Sequence, residues 1–163
     1  MMRPFTFALV SVLMCGCSAS LHDPGVKTPV TVTRLRSDPI SFATYSQLRQ
    51  AERLVIRDDA SWHAAWQSIF PPLAPILAPP NVDFTKEMVV LVALGERPNS
   101  GYSILVDSAA KRGGVLEVWI GTVSPGAHCG TTLALTQPVD IARLPRIDAA
   151  VHFMDVPRVV ECP

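Results

Sequence analysis

Residues 88–106, MVVLVALGERPNSGYSILV, constrain the fold more than any other stretch. Met88 to Leu94 are consecutive apolar residues. Bounded by turn residues, such a run reads as a strand covered on both faces. It breaks through Gly95, Glu96, Arg97, Pro98, Asn99, Ser100 and Gly101, then resumes at Tyr102. A loop set by two glycines and a proline between two buried strands is a rigid platform for recognition. Glu96, Arg97, Asn99, Ser100 and Tyr102 are its candidate binding residues. Arg97 offers forked, charged hydrogen bonding, and Tyr102 offers aromatic contact area at little entropic cost.

Fifteen prolines in 163 residues oppose a helical bundle and suit a loop-rich β protein. The 14 basic and 14 acidic residues cancel and do not cluster, which argues against a nucleic-acid partner. The first 16 residues carry Arg3 and a short apolar core from Phe5 to Met14. That core is too short to cross a bilayer, for which about twenty residues are needed, and it reads as an export signal. Gly16-Cys17-Ser18 resembles the cleavage and acylation site of bacterial lipoproteins, with Cys17 taking the lipid. An ordinary secretory signal cleaved nearby is the alternative. The expected organisation is a signal over 1–16, a tether over 17–38 and one domain over 39–163. By the same resemblance, serine after the anchor favours the outer membrane, facing the periplasm.

With Cys15 removed and Cys17 acylated, Cys129 and Cys162 remain as an even pair in an oxidising compartment. A disulfide between them is the expected pairing. The competing reading is a Cys129 thiol nucleophile beside His128, which oxidation opposes.

Val30 to Thr33 alternates and is a first strand candidate. Phe42 to Ser46 is a weaker one, and Arg53 to Arg57 a better one. Asp58 and Asp59 then open a helix on which Trp62, Ala65, Trp66 and Ile69 share one face, with His63 and Gln67 off it. Pro71 and Pro72 end it. Pro71 to Pro80 reads as an extended crossover. Ser103–Asp107 and Val115–Ile120 form a hairpin around Ser108–Gly114, with Leu116, Val118 and Ile120 on one face. Gly121–Gly130 is a second loop, Thr132–Leu135 a strand, Pro138 an interruption and Val151–Met154 a final alternating strand. The fold class is α+β, mainly β: an antiparallel sandwich or partly closed barrel with one packed helix.

Catalytic motifs find no support. Ser108-Ala109-Ala110-Lys111 has the S-x-x-K spacing of penicillin-binding serine enzymes, but it lies between strands and is expected as a turn. His22, His63, His128 and His152 do not pair at ligand spacing, and a site of His128, Cys129 and His152 competes with the disulfide. No enzyme activity, metal, cofactor or small-molecule substrate is expected.

Several motifs together resemble the C-terminal domain of the PrcB-like proteins. They are Leu54-Val55-Ile56-Arg57 with Trp62 and Trp66, Val82-Asp83-Phe84, Met88–Val92, Gly95-Glu96-Arg97-Pro98, Ser100-Gly101-Tyr102-Ser103-Ile104, Pro125-Gly126, Cys129, and Thr136 with Pro138 before Leu144-Pro145. The likeness runs from Leu54 to Cys162, and Arg-Pro-x-x-Gly-Tyr-Ser is its most specific element. It implies a non-enzymatic envelope lipoprotein that binds and stabilises a protein partner, such as a surface protease. Arg97–Tyr102 is also similar to the Asn-Pro-Thr-Thr-Gly loop of chagasin-type cysteine protease inhibitors, which gives an inhibitor as the alternative. An envelope hydrolase is the third.

Overall fold

The computed structural model describes residues 25–35, 45–70 and 78–162. The expected signal, Cys17, much of the tether, residues 42–44 and most of the Pro71–Pro80 crossover lie outside them. Two four-stranded sheets stack with one helix against the second sheet, and neither closes into a barrel. The first sheet has the order β1 (Thr28–Val30), β5 (Ser103–Arg112), β6 (Val115–Pro125), β8 (Val151–Val160). The second has the order β2 (Thr33–Arg34), β7 (Val139–Pro145), β4 (Glu87–Leu94), β3 (Ala51–Ile56).

Strand β4 is buried on both faces, as its apolar run requires: Met88 to Ala93 are all fully buried. Period-2 geometry divides them between two cores. Val89, Leu91 and Ala93 pack under the helix, whereas Met88, Val90 and Val92 pack between the sheets with Ile104, Val118 and Ile120. Helix α1 (Asp59–Ile69) presents Trp62, Ala65, Trp66 and Ile69 to the first of these cores. Asp58 caps it by accepting from Ser61 N–H at 2.8 Å, which holds that carboxyl below its usual range. It ends at Phe70, whose extended backbone is the conformation favoured before a proline. Arg53 within β3 and Arg57 just after it are structural. Arg53 donates to the Ala93 carbonyl and to Asp155 of the other sheet, and Arg57 donates to the carbonyls of Ile147 and Ala149.

Four expectations are corrected. The segment read as tether and first strand forms β1 and β2, two short strands in different sheets, so the folded unit reaches back to Thr28. Ser108–Lys111 is not a turn. β5 continues to Arg112 past a bulge between Val106 and Ser108, and the chain reverses at Gly113 and Gly114 alone. Both have positive φ, 54° and 85°, as a two-residue hairpin turn of the primed type demands. The second loop begins at Gly126 rather than Gly121, because β6 runs on to Pro125. Thr132–Leu135 is not a strand. Ala134 N–H bonds back to Thr132 O at 2.9 Å, a three-residue kink that breaks the extended backbone.

Pairing is antiparallel except between β6 and β8, which run parallel in register from Leu116↔Val151 to Pro125↔Val160. Parallel neighbours need a long connection, and here it passes through β7 of the opposite sheet.

At one corner Asp140 of β7 ties the sheets together. Its Oδ2 accepts from Val106 N–H at 2.7 Å beside the bulge, while Arg34 reaches both Asp140 and the Val106 carbonyl. Burial raises the Asp140 carboxyl above its usual range, partly offset by the Val106 N–H and the Arg34 charge. The folded state then holds this proton more tightly than the unfolded chain. Asp140 therefore adds stability as pH falls through its raised titration and withdraws it as pH rises. At pH 7 Asp140→Asn, which keeps an acceptor, is expected to cost less than about 1 kcal/mol. Asp140→Ala, which orphans the Val106 N–H, is expected to cost about 1–3 kcal/mol. Denaturant midpoints of the two variants check this ordering.

Candidate functional site

The Gly95–Tyr102 loop does not protrude freely. Gly95 has φ 78°, and a Cβ there would lie 2.9 Å from Ala51 N and 3.0 Å from the Arg49 carbonyl, so glycine is required. Beyond it the loop is laced to residues 131–137. Arg97 and Thr136 exchange both backbone hydrogen bonds, at 2.8 and 3.0 Å. The buried Thr136 hydroxyl donates to the Asn99 carbonyl at 2.8 Å. Ser100 N–H donates to Thr132 O, and the Ser100 hydroxyl accepts from Thr132 N–H at 3.1 Å. Gly101 packs so closely on Pro125 that a Cβ would come within 2.7 Å of the ring. The result is a rigid double layer of two loops.

This lacing fixes what each expected site residue can do. Glu96 accepts from Gln137 and pairs with Arg49 at 3.7 Å. The Asn99 side chain accepts from Gly101 N–H at 3.0 Å, closing a local turn. Both are largely spent inside the protein, and Ser100 is tied to Thr132 although its surface remains exposed. Arg97 and Tyr102 are half-buried and face one another, with the guanidinium carbon 5.9 Å from the ring centroid. Arg97 Nη2 donates to the Leu94 carbonyl at 2.8 Å, and Nη1 reaches the Glu96 carbonyl at 3.4 Å. Three of its five N–H groups are left without an acceptor among the described residues.

Those spare donors open into a shallow groove at the rim where the loop meets the end of the first sheet. Tyr102, Thr122 and Ser124 bring hydroxyls to it, and Arg158 of β8 lines its edge while its guanidinium is held by Asp107 over Gly121 at 3.1 Å. Leu94, Val123 and Pro157 supply its apolar surface. Arg158 is not among the residues expected to act here. Its strand pairs with β6 only through a long crossover, so no local sequence pattern brings it to the edge of this groove. Leu133 and Leu135 escape sequence reasoning for the same reason. They stand 95% and 60% exposed on the strap bonded to the loop.

Cys129 and Cys162 form the expected disulfide, with Cα atoms 5.0 Å apart. It fastens the end of β8 to the crossover loop and consumes the Cys129 sulfur. Ser108 and Lys111 lie three residues apart on one strand, so their side chains leave opposite faces of the sheet. Neither nucleophilic constellation is therefore assembled. Among the described residues, no group of three or more His, Cys, Asp or Glu side chains is placed to hold a metal ion. No described helix is long and apolar enough to cross a membrane.

No curated protein matches the chain, and no solved structure does. A family model described as PrcB C-terminal matches residues 88–145, a narrower span than the Leu54–Cys162 likeness read from the motifs. The matched span holds the buried strand β4, the laced loop, the β5–β6 hairpin, the crossover strap and β7. Over these residues the chain is similar to the PrcB C-terminal family.

Proposed function

We propose that this protein is a non-enzymatic binding module of the bacterial envelope, held to the membrane by a lipid on Cys17. Its role is to bind and stabilise a protein partner, in the first instance a protease, through the Gly95–Tyr102 loop and the strap beneath it. The observation that supports this most is the lacing of the loop to residues 131–137, which fixes Arg97 and Tyr102 at an open groove. A rigid, half-exposed arginine–aromatic pair suits an interface anchor, since little ordering entropy remains to be lost on binding. The likeness to the PrcB C-terminal family over residues 88–145 suggests an association with protease complexes.

The full-length lipoprotein, purified from envelopes, is expected to bring down one specific envelope protein. Tyr102→Ala combined with Arg97→Lys is expected to cut that recovery about tenfold or more. Lysine retains a donor for the Leu94 carbonyl, and unchanged thermal unfolding confirms an intact fold. Undiminished recovery of the same protein by the double variant refutes the loop as the contact.

One observation favours a second reading, a cysteine protease inhibitor. The two loops lie side by side, with Gly101 against Pro125 and Thr131, as a two-loop wedge requires. Dose-dependent inhibition of papain by the purified domain supports that reading, and its absence removes it.

A further inference from the structure

We infer that the outer face of the first sheet lies on the anionic surface of the membrane that holds the Cys17 lipid. The inference rests on the lipid-anchor part of the binding-module reading and adds how the domain is turned toward that membrane. Strand periodicity leaves Leu105, Ala110, Trp119, Met154 and Val156 on this face, because Val106, Ala109, Val118 and Phe153 point into the inter-sheet core. The helix covers the second sheet, whereas no described element lies over this face of the first. Leu105 and Met154 are accordingly exposed, and Trp119 is half-buried beside Pro29 and Ala110 in a shallow apolar depression.

Charge on this face is layered. The side chains of Lys27, Arg112 and Arg158 are 50%, 45% and 61% exposed, whereas their carboxylate partners are sunk against the sheet. Glu117, 15% exposed, is shared by Lys27 at 3.7 Å and Arg112 at 3.8 Å. Asp107, 27% exposed, holds Arg158 at 3.1 Å. Asp155 turns inward to Arg53 of the other sheet, and Glu161 lies past the end of β8 against Gly126. His152 also faces outward and can only add to the positive count. A flat surface brought up to the face meets three cations first, with apolar side chains between them, which complements anionic headgroups. The Lys27 ammonium lies 4.6 Å from the centroid of the Trp119 ring, a combination suited to the membrane interface. A second copy docked face to face would set these cations against one another.

The tether supplies the second argument. Cys17 lies ten residues before Lys27, so even a fully extended chain keeps Lys27 within about 36 Å of the lipid. Lys27 leads into β1, the edge strand of this same sheet. The anchor thus holds the cationic face beside the membrane, where a high effective concentration lets weak contacts suffice. β1 pairs with the hairpin end of β5, and the Gly95–Tyr102 loop lies at the other end, about 30 Å along the strand. Docking therefore leaves the loop clear of the tethered edge.

Trp119 makes the test direct. Trp62 and Trp66 are 1% exposed in the core under the helix, which leaves Trp119 as the tryptophan that lipid can reach. The full-length lipoprotein is reconstituted in vesicles of phosphatidylethanolamine and phosphatidylglycerol with brominated chains, bromine being a contact quencher of indole. Quenched emission is expected, and its loss in Trp119→Phe. In brominated phosphatidylcholine vesicles quenching is expected to be about threefold weaker. Lys27→Gln with Arg112→Gln is expected to lower quenching in the anionic vesicles to that same level. Salt at about 1 M is expected to do so for the unaltered protein, without touching the fold. Unquenched emission in anionic vesicles overturns the proposal, as does quenching that survives Trp119→Phe. Equal quenching in neutral vesicles overturns anionic headgroups as what the face recognises. Loss of acrylamide access with rising protein density, without quenching by lipid, assigns the face to a second copy instead. Mass spectrometry of the Cys17 peptide separates the failures. An unmodified cysteine refutes the anchor and this proposal with it, whereas acylated Cys17 with unquenched Trp119 refutes the face alone.

Discussion

Trp66→Ala is expected to destabilise the domain by about 3–5 kcal/mol, the largest effect of any single substitution considered. Trp66 is 1% exposed and sits in the middle of the helix stripe, edge-on to both Trp62 and Phe70 with ring centroids 5.3 and 5.2 Å away. Removing its indole opens a cavity between α1 and the Val89–Leu91–Ala93 face of β4, which neither layer can collapse to fill. The buried strand then loses its cover on one side while the inter-sheet core stays packed. A lower midpoint in guanidinium at unchanged slope is the expected signature. Trp66→Phe, which retains most of the ring area, is expected to cost less than half as much.

Loss of the disulfide is the second large effect. The Cys129→Ser, Cys162→Ser double variant is expected to lose about 3–4 kcal/mol, from a covalent loop with a sequence separation of 33 residues. The consequence for the groove is more specific than the loss of stability. Among the described residues β8 pairs with β6 alone, and the crossover strap is tied to its end by the disulfide, the Gly126 N–H to Val160 hydrogen bond and the packing of Glu161 on Gly126. Freed of the disulfide, the end of β8 frays first and takes Pro157 and Arg158 away from the rim of the groove. Native-state hydrogen exchange should therefore show protection falling at Val159 and Val160 before β4 or the helix is affected. Equal loss of protection throughout would show that the disulfide acts on the whole domain and not on this corner.

Together these effects show why the site divides between what a local pattern records and what it does not. The Arg-Pro-x-x-Gly-Tyr stretch announces a rigid loop, and glycine stands where the packing demands it, at Gly95 before the stretch and at Gly101 within it. The pattern does not reveal that Glu96 is consumed internally, because its partners, Arg49 and Gln137, are set by how the chain returns. The S-x-x-K stretch reads as a turn but folds as a strand for a related reason. A bulge beside Asp140 lets β5 run on where composition alone suggests a break.

By itself the sequence determined the buried strand, the amphipathic helix with its cap and its proline stop, the alternating faces of the hairpin and the even pair of cysteines. Each of these is encoded within a few residues, by period, capping chemistry or parity. Tertiary structure alone decided the parallel pairing of β8 with β6, the division of β1 and β2 between two sheets, and the lacing of Arg97 to Thr136. Those contacts join residues far apart in the chain, and what selects them is the burial of β4 on both faces at once, a condition no short window can express.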